Sequence, residues 1–88
     1  MRIVDADNQF IINLKFQFAN RREVVLNVLD MIEEAETINE LRKSPCSLRT
    51  NHYLAYNEIC KVYFEYFPDT NTVKLWNFVF KNHIKKTK

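Results

Sequence analysis

Residues 59–67 read Ile-Cys-Lys-Val-Tyr-Phe-Glu-Tyr-Phe, residues 68–72 Pro-Asp-Thr-Asn-Thr, and residues 73–81 Val-Lys-Leu-Trp-Asn-Phe-Val-Phe-Lys. Two runs rich in β-branched and aromatic residues flank a cluster of turn formers, which predicts an antiparallel hairpin. Pro68 pre-sets φ for a turn, and Asp69 and Asn71 tolerate left-handed backbone. The chain contains no glycine, so one of these two must supply any residue with positive φ. On the first strand Cys60, Val62, Phe64 and Tyr66 fall on one side and Lys61, Tyr63 and Glu65 on the other. On the second, Val73, Leu75, Asn77 and Val79 oppose Lys74, Trp76, Phe78 and Phe80. That strand is apolar on both sides apart from Lys74 and Asn77, which predicts a central strand covered twice, or one face kept for a partner.

Outward from the hairpin, residues 46–57 are the least regular, with a short strand expected at His52–Tyr56 and a turn at Asn57-Glu58. Residues 82–88 form a basic tail. At the other end, residues 1–9 read as an edge strand or an arm. From Ile12 the pattern alternates, with Ile12, Leu14, Phe16 and Phe18 against Asn13, Lys15 and Gln17, and this predicts a half-buried strand. A helix is expected next. Asn20 would cap it and Glu23 would complete a capping box, with Val25, Val28, Leu29, Ile32 and Ala35 forming its apolar stripe. Glu33, Glu34 and Glu36 crowd its C-terminus, where negative charge opposes the macrodipole; they invite a basic partner, in this chain or another. A second capping box at Thr37–Glu40 predicts a short helix from Ile38 to Lys43, stopped by Ser44-Pro45. A single helix over 21–43 is the alternative. The order implies an α+β fold: a small antiparallel sheet, made of an N-terminal strand and a C-terminal three-stranded meander, with one or two helices on one face.

The 88 residues suit a single domain. No segment is long and apolar enough for a membrane span, and Asp5 and Asp7 interrupt any signal-peptide plan, so a cytoplasmic protein is expected. Cys46 and Cys60, with His52 and His83, lack the paired spacing of a zinc site. Two reduced thiols are expected, with no metal and no cofactor. The net charge of +2 is unevenly placed. Residues 1–40 hold four basic and eight acidic groups, residues 41–88 nine basic and three acidic. Such asymmetry fits a nucleic-acid surface or a merely solvated exterior.

Without glycine there is no phosphate-cradling loop. No acidic cluster suggests a two-metal centre, and no serine stands in a nucleophile motif. What remains is a basic and aromatic set in the C-terminal half: Arg49, His52, Tyr53, Tyr56, Lys61, Tyr63, Lys74, Lys81, His83 and Lys85. Cations bind phosphate, and aromatic rings stack on unpaired bases. The same groups suit metal-free RNA cleavage, in which a base activates the 2′-hydroxyl, a cation stabilises charge on phosphate and an acid protonates the leaving oxygen. Each also has a plainer reading. Tyr53 and Tyr56 suit the edge of a core, Lys61 and Lys74 suit solvent-facing strand positions, Trp76 suits packing, and Arg49 can brace a turn.

Leu-Arg-Lys-Ser-Pro (41–45), Arg49, Lys-Val-Tyr-Phe-Glu-Tyr (61–66), Pro-Asp-Thr-Asn (68–71) and Val-Lys-Leu-Trp-Asn-Phe (73–78) together resemble the C-terminal half of RelE/ParE-type toxins. The tail 81–88 resembles the endings of their HigB-like branch. The likeness covers 22–88 as an order of elements and 59–88 as local motif. It implies a small β-α-α-β-β-β fold and a ribosome-dependent, metal-free ribonuclease or a gyrase inhibitor, neutralised by a cognate antitoxin. Under it Lys61 binds phosphate, Arg49 assists, and His83 or Tyr63 transfers a proton, while Lys74, Lys81, Lys85 and Lys86 bind RNA. Lys61 stands where the family usually has arginine, which keeps the charge and loses the bidentate fork. The polar arm is longer and the helical region shorter than is usual there. The competing class is a non-enzymatic interaction module, of the phage- or plasmid-encoded inhibitor kind, in which Val73 to Phe80 and the acidic helix end bind a partner or a second copy.

Overall fold

A computed structural model describes residues 1–41, 43–45 (backbone) and 51–81. The hairpin forms as its turn chemistry dictates: β4 (Cys60–Phe67) and β5 (Thr72–Phe80) pair antiparallel, Phe67 opposite Thr72. Asn71 supplies the left-handed residue, at φ 56°. Its side-chain oxygen accepts from the Tyr66 hydroxyl at 2.8 Å, which braces the turn. Cys60, Val62 and Phe64 are completely buried, so the expected inner face of β4 is the real one. The double-sided apolarity of β5 has a different cause from double cover. Tyr63 pairs with Asn77 and Phe64 with Leu75, which leaves Trp76 as a one-residue bulge. A bulge shifts the alternation by one. Val73 and Leu75 before it and Phe78 after it all enter the same core.

β3 (His52–Tyr56) lies antiparallel to β4. It is turned into it at 57–59, where Asn57 Oδ1 accepts from the backbone of Ile59 and Cys60 at 2.8 Å each. A three-residue strand β2 (Lys43–Pro45) pairs with β3 on the outer edge, a position where proline costs no ladder bond. On the opposite edge β1 (Arg2–Ala6) runs parallel to β5, giving the order β1-β5-β4-β3-β2. The architecture is α+β, and the sheet is mixed because its N-terminal strand is parallel.

That strand is 2–6, not 12–18. Asp7 caps a helix α1 (Asn8–Lys15), its carboxylate accepting from the Gln9 backbone at 3.0 Å. Phe10 then packs edge-on against Phe78, ring centroids 5.2 Å apart, and Asn13 donates to Asn77 Oδ1 at 2.8 Å. The alternation from Ile12 to Phe18 therefore straddles a helix end, with Phe16 as the C-cap of α1 and Phe18 as the N-cap of α2 (Ala19–Glu34). Asn20 lies inside α2, and the Asn20–Glu23 box does not form. The backbone of Arg21 and Arg22 bonds the Phe18 carbonyl instead, at 2.9 Å each.

Val25, Val28 and Ile32 bury one stripe of α2 completely, and Ala35 extends it just past the helix end. α2 packs on β4, and α1 on β5. At the acidic end of α2 the chain itself meets the backbone carbonyls. The Met1 nitrogen donates to the carbonyls of Ala35 and Glu33, and Asn71 Nδ2 donates to that of Glu36 at 3.0 Å. The short helix expected over 38–43 is a single 3₁₀ turn, Ile38–Glu40. Glu40 reaches back to the Glu36 backbone at 3.1 Å, and the chain then extends into β2, so neither the longer helix nor a continuous 21–43 helix forms.

Candidate functional site: the open face of the sheet

With Cys60, Val62 and Phe64 turned inward, alternate residues of β3 and β4 point away from the helices. Strand register sorts them into three rows. Tyr56, Lys61 and Val79 form the first row, Leu54, Tyr63 and Asn77 the second, and His52, Glu65 and Lys74 the third. Opposed residues in such rows lie about 5 Å apart, and successive rows about 7 Å apart along the strand. Of these nine, Val79 is exposed and the rest are half-buried.

Lys61 has no carboxylate within ion-pair distance among the described residues, whose two ion pairs both lie in the third row. It stands beside Tyr56 across the ladder and Tyr63 two positions along. Lys81 adds a second cation at this end, its Nζ 4.7 Å from the Tyr56 ring centroid. Lys61, Tyr63 and Lys81 therefore share one end of the open face. Lys74 does not join them. It lies about 13 Å along the strand from Lys61, with Nζ 3.9 Å from Asp5 and 4.3 Å from the Trp76 ring. Trp76 is half-buried, and its indole nitrogen is buried without a hydrogen-bond partner, so packing dominates its role. Tyr53 leaves the set for the core side, 6.0 Å ring to ring from Phe64. Arg49, His83, Lys85, Lys86 and Cys46 lie outside the described residues.

The sequence reading of catalytic groups leaves out one pair. His52 Nε2 stands 3.8 Å from Glu65 Oε1, an imidazole beside a carboxylate on the same face. Counting back from the Asn57 turn gives this register, so the signal was present. Cys60 shares no site with it. Cys60 is fully buried on the opposite face, and burial pushes its thiol up to about 11, against the pull of Lys81. Among the described residues no group of three His, Cys, Asp or Glu is placed to hold a metal. None of the helices described there is long and apolar enough to cross a membrane.

Two helices on one face of a five-stranded mixed sheet, cationic on the other face, define a small α+β class. No protein-family model and no curated protein matches the sequence, but solved structures match the fold. The isolated Escherichia coli RelE toxin superimposes with a TM-score of 0.68 at 10% identity, over 97% of this chain and 90% of that one. The archaeal RelE–RelB complex from Pyrococcus horikoshii gives 0.64 at 14%, over 88% and 90%. The RelB–RelE antitoxin–toxin complex from Methanococcus jannaschii gives 0.64 at 15%, over 94% and 96%. The fold of this chain is the RelE fold, and the resemblance seen in the hairpin holds at that level.

Proposed function

We propose that this chain is the toxin of a toxin–antitoxin pair, a metal-free endoribonuclease that acts in the cytoplasm on mRNA at the ribosome. The observation that carries the reading is Lys61, a cation without a described counter-ion, flanked by Tyr56 and Tyr63 on the sheet face that the described helices leave uncovered in a RelE fold. RNA laid across that face would meet Lys61 and Lys81 at its phosphates and the tyrosine rings at its bases. In cleavage the 2′-hydroxyl loses a proton and attacks the adjacent phosphorus. The bond to the 5′-oxygen breaks, and that oxygen takes up a proton. Lys61 holds the charge that develops on the phosphoryl oxygens. Tyr63, one row away on the same strand face, would transfer the proton, and Arg49 and His83 complete the proposed catalytic set. His52 and Glu65 sit two rows from Lys61, too far to serve the same phosphate, and would contact a neighbouring nucleotide. Lys74, Lys85 and Lys86 would extend the RNA track.

Two of the solved neighbours are RelE in complex with RelB, which supports a cognate antitoxin as partner. The rival interaction module loses Phe78 as a contact residue, since Phe78 on β5 is a core residue, 5% exposed.

The test is tightly controlled expression in bacteria of wild type beside Lys61→Ala, with mRNA followed by primer extension. Growth arrest with cleaved transcripts is expected from the wild type. Lys61→Ala should cleave roughly 10²–10³-fold more slowly with an unchanged circular dichroism spectrum. Healthy growth and intact mRNA from soluble, folded wild type would overturn the reading.

A further inference from the structure

Phe16 and Phe18 are 81% and 83% exposed, on either side of Gln17 in the three-residue link between α1 and α2. Ile11 and Ile12, in the preceding turn of α1, are 40% and 48% exposed. Apolar surface gathered at one corner of a small domain marks an interaction site. Two cations frame it. Lys15 closes α1, and Arg22 donates through Nη1 to the Gln17 carbonyl at 3.0 Å, which holds its guanidinium against the link between the two rings. Neither has a carboxylate in ion-pair distance among the described residues, where both ion pairs lie at the sheet.

We propose that this elbow docks an acidic, amphipathic segment of a partner protein, its apolar side chains on Phe16 and Phe18 and its carboxylates on Lys15 and Arg22. Charge argues against the other occupants. A second copy related by a two-fold axis would bring a like patch, with its own Lys15 and Arg22, against this one. An anionic lipid surface needs a cluster of about four to eight cations, and Lys15 and Arg22 are only two. The inference stands apart from RNA cleavage. Under the toxin reading the partner is the antitoxin, yet the elbow can fail while Lys61 still cleaves, and the reverse.

The test pans a displayed library of random peptides on the full chain, with depletion on the Phe16→Ser/Phe18→Ser variant, followed by titration of the surviving peptides. Both rings lie mostly in water, so the variant should keep the wild-type spectrum and urea midpoint. Survivors should be net acidic with apolar residues at i, i+3 or i+4 spacing. They should bind the double variant at least about tenfold more weakly, as truncated anchors do, and Lys15→Glu more weakly than wild type. Recovery of no peptide, of neutral or basic peptides, or of peptides indifferent to the variants would overturn the proposal. So would a concentration-dependent dimer in sedimentation equilibrium that the double variant abolishes, which assigns the face to a second copy. Binding to phosphatidylglycerol vesicles lost in that variant would overturn it in favour of lipid.

Discussion

Cys60 and Lys61 are neighbours that serve opposite sides of the sheet, and each makes its own prediction. The Cys60 thiol is buried, and desolvation of the thiolate raises its pKa from 9.0 to about 11. The folded state therefore holds this proton more tightly than the unfolded one. Its contribution is complete below pH 9 and is lost as pH rises from there toward 11, where the unfolded chain has already ionised. The urea midpoint of wild type should fall more steeply between pH 9 and 11 than that of Cys60→Ala. Tyrosine and lysine titrations are common to both proteins, so the difference isolates the thiol; parallel slopes would remove this role. On the resemblance to RelE/ParE-type toxins, Lys61 would take the place of an arginine. Arginine presents two parallel donors to phosphate where lysine presents a point charge. If Lys61 grips a phosphate, Lys61→Arg should cleave RNA at least as fast as wild type, and Lys61→Gln should be as slow as Lys61→Ala. Equal rates for Arg and Gln would mean that charge at this position does not matter.

At the scale of elements, strand β5 shows what a single extra residue does. Reading strict alternation through Trp76 places Phe78 opposite Leu75, and the bulge puts both in the core. Phe78→Ala should cost about 3–5 kcal/mol by urea denaturation, as large-to-small core changes do, whereas Val79→Ala, 41% exposed, should stay within about 0.5 kcal/mol. Loss of activity in a Phe78 variant would thus report unfolding and not a lost interface. Asn71 makes a second element-level case. Its φ of 56° suits Asn or Gly, so Asn71→Val should destabilise by about 1–2 kcal/mol and Asn71→Gly by much less. Thermal melts of the two variants would separate backbone strain from the lost Tyr66 bond, which both changes remove. These elements were legible because their determinants are local. Turn residues at 68–71 and 57–58 set the register of β3, β4 and β5, and that register carries Lys61, Tyr63 and His52 to one face. The N-terminal third was not legible in the same way. Ile12, Leu14, Phe16 and Phe18 alternate by coincidence across a helix junction, and the Asp7 cap is a one-residue signal beside that four-residue pattern. The parallel pairing of β1 with β5 joins residues about 70 apart in the chain, where no local propensity acts.

At the scale of the whole molecule, the described residues separate their charge. The surplus of acid in residues 1–40 is carried largely by α2, where Glu23, Asp30, Glu33 and Glu34 face solvent. The surplus of base in 41–88 reaches the open sheet face through Lys61, Lys74 and Lys81. The sheet, with its core of Val62, Phe64 and Val73, stands between them. A polyanion approaching in any orientation is thus turned toward the sheet face. Binding of a short single-stranded RNA should therefore weaken with salt, because each phosphate neutralised releases counterions worth about −0.7 in the slope of log K against log salt. Three lysines on that face imply a slope of roughly −2, and any phosphate held by the tail adds to it. Lys61→Ala and Lys81→Ala should each make the slope shallower by about 0.7, whereas Glu34→Gln, on the far side, should leave it unchanged. Fluorescence anisotropy across a salt series measures all four proteins in one design. A slope near zero in wild type, or an effect of Glu34→Gln as large as that of Lys61→Ala, would mean that RNA does not use this face.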